Sequence, residues 1–197
     1  MYVRFVKRWL DVILSLLALI VLALPMLIFA WIIKAEDPGP ALFRQKRIGI
    51  HKSYFSVLKF RSMKLSTPHD TPTHLLEHPE QYILRCGRWM RKMSIDELPQ
   101  LINILRGDMS FVGPRPALWN QDDLIAERDK YGANDITPGL TGWAQINGRD
   151  ELSIVEKARL DGEYVKKVSL WFDIKCLFGT VFCVLRHEGV QEGKALE

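Results

Sequence analysis

The chain lacks the features that would place it in several large functional classes. Its three cysteines, Cys86, Cys176 and Cys183, form no CxxC pair and are odd in number, so neither a disulfide framework nor a cysteine-rich zinc site is indicated. Free thiols in a reduced, cytosolic setting are the default. There is no glycine-rich phosphate loop and no dinucleotide fingerprint, which argues against P-loop and Rossmann chemistry. No internal repeat suggests a solenoid. No arginine-rich aromatic stripe or nucleic-acid motif is present, so nucleic acid is not an expected partner. Histidine offers little: His74 and His78 stand four apart, but no HExxH motif accompanies them and Pro79 interrupts a helix there. The polar segment from Ser66 to Glu80, which also holds His69, reads as a surface loop.

What the chain does have is a long apolar run near its N-terminus. From Val12 to Ile33 only Ser15 and Pro25 depart from an apolar pattern, enough to span a bilayer. The run is too long for a signal peptide and no small-x-small cleavage site follows it. Arg4, Lys7 and Arg8 precede it, and Lys34, Arg44, Lys46 and Arg47 follow. Basic flanks on both sides ask for both ends in the cytoplasm. Pro25 removes a backbone hydrogen bond near the middle and can bend the helix back to the face it entered. A single-pass helix with a tolerated proline is the other arrangement, and charge alone leaves both open. At 197 residues and a net charge of +4, the chain suits one domain that meets an anionic membrane surface or phosphorylated substrates.

Ala35 to Pro40 is a turn-rich linker. Leu42–Ile48 and Tyr54–Phe60 alternate as two strands joined near Gly49, a hairpin. Lys59 and Arg61 leave that second strand on the same side and read either as a phosphate-binding pair or as a solvated edge. Tyr82 to Met93 is basic, with Arg85, Arg88, Arg91 and Lys92. It leads into Ser94-Ile95-Asp96-Glu97-Leu98-Pro99-Gln100-Leu101. Leu98, Leu101, Ile102 and Leu105 recur at helical spacing, predicting an amphipathic helix from about Ile95 to Arg106 closed by Gly107. Ser94 and Glu97 fit a capping box, so the carboxylates have a structural reading at a helix start. They also have a chemical one. Helix amides keep Asp96 ionised as a nucleophile, and two adjacent carboxylates suit a magnesium ion that shares substrate phosphates.

Arg115 is held between Pro114 and Pro116 in extended backbone, which suits bidentate phosphate recognition; a polar turn is the alternative. Thr137-Pro138-Gly139 predicts a type II turn and Asn147-Gly148 a tight hairpin turn, framing Trp143, Gln145 and Arg149 on a compact loop. Trp143 serves either as a stacking surface or as core. Leu152–Val165 predicts a helix carrying Asp161. Leu170–Arg186 is apolar but interrupted by Asp173 and Lys175, which fits an interfacial or core-packing helix.

Several of these segments, in this order, resemble the bacterial sugar transferase family of small monotopic phosphoglycosyl transferases. They are Lys7-Arg8 with Asp11, Leu58-Lys59-Phe60-Arg61-Ser62-Met63, Ser94 through Gln100, Gly107 through Pro116, Thr137 through Arg149, and Asp161 with Tyr164-Val165. The likeness extends to about Gly189. It implies an α+β, mainly helical protein. Residues 1–36 would form a proline-broken re-entrant membrane helix at Pro25, and residues 37–197 a compact cytoplasmic catalytic domain with a short β-hairpin and interfacial amphipathic helices. One departure stands out: Leu24 precedes the proline where many members carry serine.

By the same resemblance Asp96 is the nucleophile and Glu97 its partner, both near magnesium, with manganese as an alternative ion. Lys59, Arg88, Arg115, Arg149 and Asp161 fall at phosphate- or nucleotide-contacting positions. The implied reaction moves a sugar phosphate from a UDP-sugar to polyprenyl (undecaprenyl) phosphate and releases UMP through a covalent aspartyl intermediate. It would occur at the cytoplasmic face of the bacterial inner membrane, among its lipids. A one-step transferase with a ternary complex and a non-catalytic membrane-anchored scaffold are the rival readings. Sugar identity and oligomeric state stay open.

Overall fold

The computed structural model describes residues 2–67, 79–148 and 151–186, so His69, His74, His78 and Arg149 lie outside the described residues. Seven α-helices and four short strands are described. They are α1 (Lys7–Glu36), β1 (Leu42–Ile48), β2 (Tyr54–Phe60), α2 (Arg85–Lys92), α3 (Gln100–Arg106), β3 (Ser110–Val112), α4 (Asp122–Asp129), β4 (Gly139–Thr141), α5 (Trp143–Ile146), α6 (Ile154–Lys167) and α7 (Leu170–Arg186). The described part is mainly helical, as expected.

α1 is the longest element and the only described helix long and apolar enough to cross a membrane. It runs without interruption over 30 residues with Pro25 inside it. Helical residues continue on both sides of Pro25, since one missing amide leaves the bonds of the neighbouring turns intact. One stripe of the helix packs on the rest of the chain. Lys7, Asp11, Ser15 and Ile33 are buried. Ala18, Leu19 and Leu22 lie on a core of Val57, Leu101, Ile104 and Met109. Met26, Phe29 and Ala30 lie on a core of Ile33, Ala41, Phe60, Leu84 and Met90. These positions recur every three or four residues, the spacing of one helical face. The other face exposes Trp9, Ile13, Leu17, Ile20, Leu24, Leu27 and Trp31.

Both ends of α1 are tied down by polar contacts. At the start, Lys7 pairs with the buried Asp173 of α7 at 2.5 Å. Arg8 donates to the carbonyls of Ile104 and Leu105 at the C-terminus of α3. Asp11 accepts from the Ser110 hydroxyl and the Phe111 amide. At the far end, Glu36 accepts from the first amides of α2, those of Arg85 and Cys86. Asp37 pairs with Arg61.

The β1–β2 hairpin forms with the expected bounds, Leu42 opposite Phe60 and Ile48 opposite Tyr54. Its outer edge is closed by a side chain. Asn103, fully buried in α3, accepts from the Leu58 amide (2.9 Å) and donates to the Ser56 carbonyl (2.9 Å). β3 and β4 pair in parallel, Ser110 with Gly139 and Val112 with Thr141. The expected type II turn at Thr137-Pro138-Gly139 is absent: Gly139 opens β4, where its backbone amide donates to Pro114. Asn147-Gly148 likewise ends the short helix α5 instead of turning a hairpin.

Glycine makes the β3–β4 crossing possible. A Cβ on Gly139 would lie 2.1 Å from the Gly113 nitrogen, and one on Gly142 would lie 2.1 Å from the Gly113 carbonyl oxygen. Both neighbours are backbone atoms and cannot rotate away. Gly139→Ala is expected to cost about 1–3 kcal/mol through overpacking, read as a lowered Tm of the detergent-solubilised protein. An unchanged Tm would show that the crossing relaxes freely.

Candidate active site

The two carboxylates sit on a tight turn between α2 and α3. Ile95–Glu97 is a 3₁₀ turn, and Pro99 precedes α3, so the expected helix from Ile95 to Arg106 is split in two. The capping box does not form. Ser94 adopts a left-handed backbone, φ 55°, and makes no side-chain cap. Its partner in that scheme, Glu97, is engaged elsewhere. The closure at Gly107 does form, with φ at 100° and its amide on the Asn103 and Ile104 carbonyls.

Glu97 is the electrostatic hub. Its Oε1 accepts from Lys59 Nζ at 2.8 Å and from Arg115 Nη2 at 2.7 Å. Lys59 comes from β2, and Arg115 from the loop after β3. Burial alone would raise the Glu97 carboxyl, yet Arg115 and Lys59 hold it well below the usual carboxylate range. Burial lowers the Lys59 ammonium, and Glu97 pulls the other way. The side chain of Arg115 keeps 28 % of its surface exposed, so this guanidinium is anchored but reachable.

Asp96 behaves differently from its neighbour. It is buried, yet among the described residues it accepts no hydrogen bond. Burial raises its carboxyl, Lys59 opposes that shift, and the Glu97 charge adds to it. Among the described residues no helix amide donates to Asp96, so burial raises its carboxyl, while Arg115 and Lys59 hold that of Glu97 down. On a 3₁₀ turn the two side chains diverge by about 120°.

The other sequence-predicted residues separate into groups. Lys59 and Arg61 do not act together, because Arg61 is buried against Asp37. Arg88 lies exposed on α2; the cation of that helix felt by Asp96 is Arg91. Asp161 is buried in α6 against Arg128, whose Nε and Nη2 donate to its Oδ2 at 2.8 and 2.6 Å. None of its described bonds reaches the dyad. Trp143 is packing: its ring lies 4.9 Å from that of Phe172, and its Nε1 donates to Glu163 at 3.2 Å.

Two residues near the dyad carried no sequence signal beyond their motifs. Arg47 donates to the Pro116 carbonyl at 3.0 Å and so braces the Arg115 loop. Gln100 is almost fully buried and lines a small cleft with Arg47, Val57, Lys59, Arg115 and Pro116. Alternation put Arg47 on a strand, but only the fold shows that its side chain reaches across to Pro116.

Burial is the largest influence on the Asp96 titration and the neighbouring charges of Lys59 and Glu97 act on top of it, so two substitutions should move it in opposite directions. Lys59→Met removes a stabilising cation and should raise the Asp96 carboxyl further. Glu97→Gln removes the adjacent negative charge and should lower it. Carbon NMR of aspartate-labelled protein across pH reads both shifts. Two shifts of the same sign would show that burial, not these neighbours, sets the value.

The chain is 43% identical over 183 residues to a UDP-glucose:undecaprenyl-phosphate glucose-1-phosphate transferase of Caulobacter vibrioides, covering 89% of this chain and 68% of that one. It is 42% identical over 185 residues to an undecaprenyl-phosphate glucose phosphotransferase of Komagataeibacter xylinus, covering 89% of this chain and 35% of that one. It is 39% identical over 186 residues to the uncharacterized sugar transferase EpsL of Bacillus subtilis, covering 94% of this chain and 90% of that one. Against the glucose phosphotransferase and an undecaprenyl-phosphate galactose phosphotransferase of Salmonella typhimurium, the chain spans only 35% and 42% of the relative's length. The profile of one family, described as bacterial sugar transferase, matches residues 2–187, and the chain belongs to that family.

Proposed function

We propose that the protein transfers a sugar phosphate from a UDP-sugar to a polyprenyl phosphate such as undecaprenyl phosphate, with release of UMP. The observation that carries this reading is the unequal dyad. One carboxylate, Glu97, is locked to two cations, and its neighbour Asp96 is buried without a described hydrogen bond. An unpaired carboxylate beside phosphate-binding cations is equipped to act as a nucleophile.

In the first step an Asp96 oxygen attacks the sugar-bearing β-phosphorus. The bond to the bridging oxygen breaks, and UMP leaves with that electron pair. In the second step a phosphate oxygen of the polyprenyl phosphate attacks the same phosphorus and displaces the Asp96 carboxylate. No proton is needed in either step. Arg115 and Lys59 hold and neutralise the charged oxygens, and Glu97 fixes both cations in place. A magnesium ion fits the donor set of Asp96 and Glu97, since such ions take one or two carboxylates and complete their shell with water and substrate phosphates. It would supply charge neutralisation on the diphosphate.

The membrane reading rests on α1 and α7. α7 exposes Trp171, Phe178, Val181 and Phe182 on one side while Asp173 and Cys176 are buried. α1 exposes a long apolar face, and such faces are not left in water. Thirty helical residues extend about 45 Å, yet the two ends of α1 are fastened to the same body. That supports a re-entrant or surface-embedded α1 with both flanks on the cytoplasmic side of the bacterial inner membrane, over a single-pass helix.

Two outcomes are expected. Asp96→Asn should form no sugar-phosphate adduct by mass spectrometry and release no UMP, because an amide is not a competent nucleophile. UMP release without an adduct in the wild type would favour the one-step transferase. For topology, single cysteines placed before Arg4 and after Lys34 should label only from the cytoplasmic side. Labelling from opposite sides would establish a spanning helix.

A further inference from the structure

Arg115 follows a very short strand. β3 has three residues and pairs with β4 in parallel, Ser110 with Gly139 and Val112 with Thr141. So small a parallel pair is weak on its own, and other contacts must fix where β3 lies. Two buried side chains outside the sheet do so. At its start, Asp11 Oδ1 of α1 accepts from the Ser110 hydroxyl at 3.1 Å and from the Phe111 amide at 3.0 Å. At its end, the Tyr164 hydroxyl of α6 reaches the Val112 carbonyl at 3.1 Å and Asp173 Oδ1 at 2.7 Å, one proton serving two acceptors. The other oxygen of Asp173 accepts from Tyr2 at 2.7 Å and from Lys7 at 2.5 Å. Lys7 and Asp11 stand four apart on one face of α1. The first turns of that helix thus hold both ends of β3, one directly and one through Asp173 and Tyr164.

We infer that Asp11 and Tyr164 are positioning residues for Arg115: they hold β3 at its two ends and so aim the guanidinium at Glu97. The inference rests on the transferase reading and adds to it the residues that set one of its cations. The chain between β3 and Arg115 has no loose joint. The Gly113 amide donates to the Thr141 carbonyl at 2.8 Å, and the Pro114 carbonyl accepts from Gly139 at 2.9 Å. Proline on each side then restricts the backbone at Arg115. A shift of β3 is therefore passed on to Arg115. Glu97 does not follow it, because Ile95 and Leu98 seat its turn against Met26, Phe29 and Ala30, far along α1 from Asp11. Arg115 Nη2 lies 2.7 Å from Glu97 Oε1. A misplacement of about 1 Å would break that bond and cost up to about a hundredfold in rate. The described bonds of Asp11 and Tyr164 go to β3 and Asp173, and none goes to the dyad.

The test uses the full chain in detergent and reads the arginine side-chain nitrogens by NMR. The Arg115 signal is the one missing from Arg115→Met, and Arg61, buried against Asp37 away from β3, serves as the internal reference. Asp11→Leu removes the acceptor, Asp11→Asn keeps an oxygen in its place, and Tyr164→Phe removes only the hydroxyl. In Asp11→Leu and in Tyr164→Phe the Arg115 signal should move while that of Arg61 stays; Asp11→Asn should resemble wild type. UMP release should fall roughly tenfold to a hundredfold in Asp11→Leu and recover in Asp11→Asn. Once Arg115 is gone, positioning it is worthless, so Asp11→Leu added to Arg115→Met should slow release by less than about twofold. An unmoved Arg115 signal in either variant overturns the inference. So do Arg115 and Arg61 signals that move together, which would make the two residues general supports of the fold, and so do additive losses in the double variant. Should Asp11→Leu not fold, Tyr164→Phe decides by the same signal. An Arg115 signal that moves as expected, in a protein that turns over no UDP-sugar, would support the positioning and sink the transferase reading instead.

Discussion

A buried carboxylate needs compensation, and the arrangement of the site follows from how Glu97 obtains it. Its two cations come from elements far apart in sequence, β2 and the loop after β3, and they converge on one oxygen. Breaking such a group by removing one partner costs several kcal/mol, on the order of 3–5, because the remaining charge stays buried. The hairpin, the dyad turn and the Arg115 loop must therefore arrive together. Asn103 supports the first by holding the edge of β2 to α3. The close glycine contacts at Gly113, Gly139 and Gly142 support the last. Once Lys59 and Arg115 are committed to Glu97, Asp96 is left beside the same cations without a bond of its own.

α1 obeys a related constraint. An apolar helix has no reason to keep Lys7 and Asp11 buried unless they are paired, and both are: Lys7 with Asp173, Asp11 with Ser110 and the Phe111 amide. Tyr164 joins the same group, donating to Asp173 and lying within hydrogen-bonding reach of the Val112 carbonyl. Burial and the Asp173 charge push its phenol well above the ordinary range. These polar contacts tie α1, β3, α6 and α7 at one point. The motif residues Lys7, Arg8 and Asp11 thus fix the helix against the domain as well as supplying flanking charge.

Much of this was legible in the sequence, and the misses share a cause. The hairpin bounds followed from strand alternation around Gly49, and the helix stop followed from Gly107, because both signals are local. The capping box failed because Ser94 and Glu97 have the right spacing for a local bond, but Glu97 gains more from two cations than from one amide. Pro99 split the predicted helix by allowing the tighter turn before it. Lys59 and Arg61 looked equivalent on a strand, yet the chain leaves β2 at Phe60, and Asp37 waits for Arg61 at the end of α1. Asp161 carried the same ambiguity: its charge was visible and its partner Arg128 was not. Arg47 and Gln100 escaped notice because their surroundings are assembled only by long-range packing.

The 3₁₀ turn also explains how the long apolar helix α1 and the charged dyad can share a few residues. With three residues per turn, Ile95 and Leu98 eclipse one another. Both pack on the core formed with Ile33, Phe29 and Ala30 of α1. Asp96 and Glu97 fall between them, and Glu97 reaches Lys59 and Arg115. An α-helical turn at 100° per residue would spread those four side chains more evenly around the axis. The tighter geometry puts the apolar pair on one side, against α1, and keeps both carboxylates off it. The position of the dyad is therefore set by α1 itself. Through that packing, any displacement of α1 against the rest of the chain is passed to the turn that carries Asp96 and Glu97.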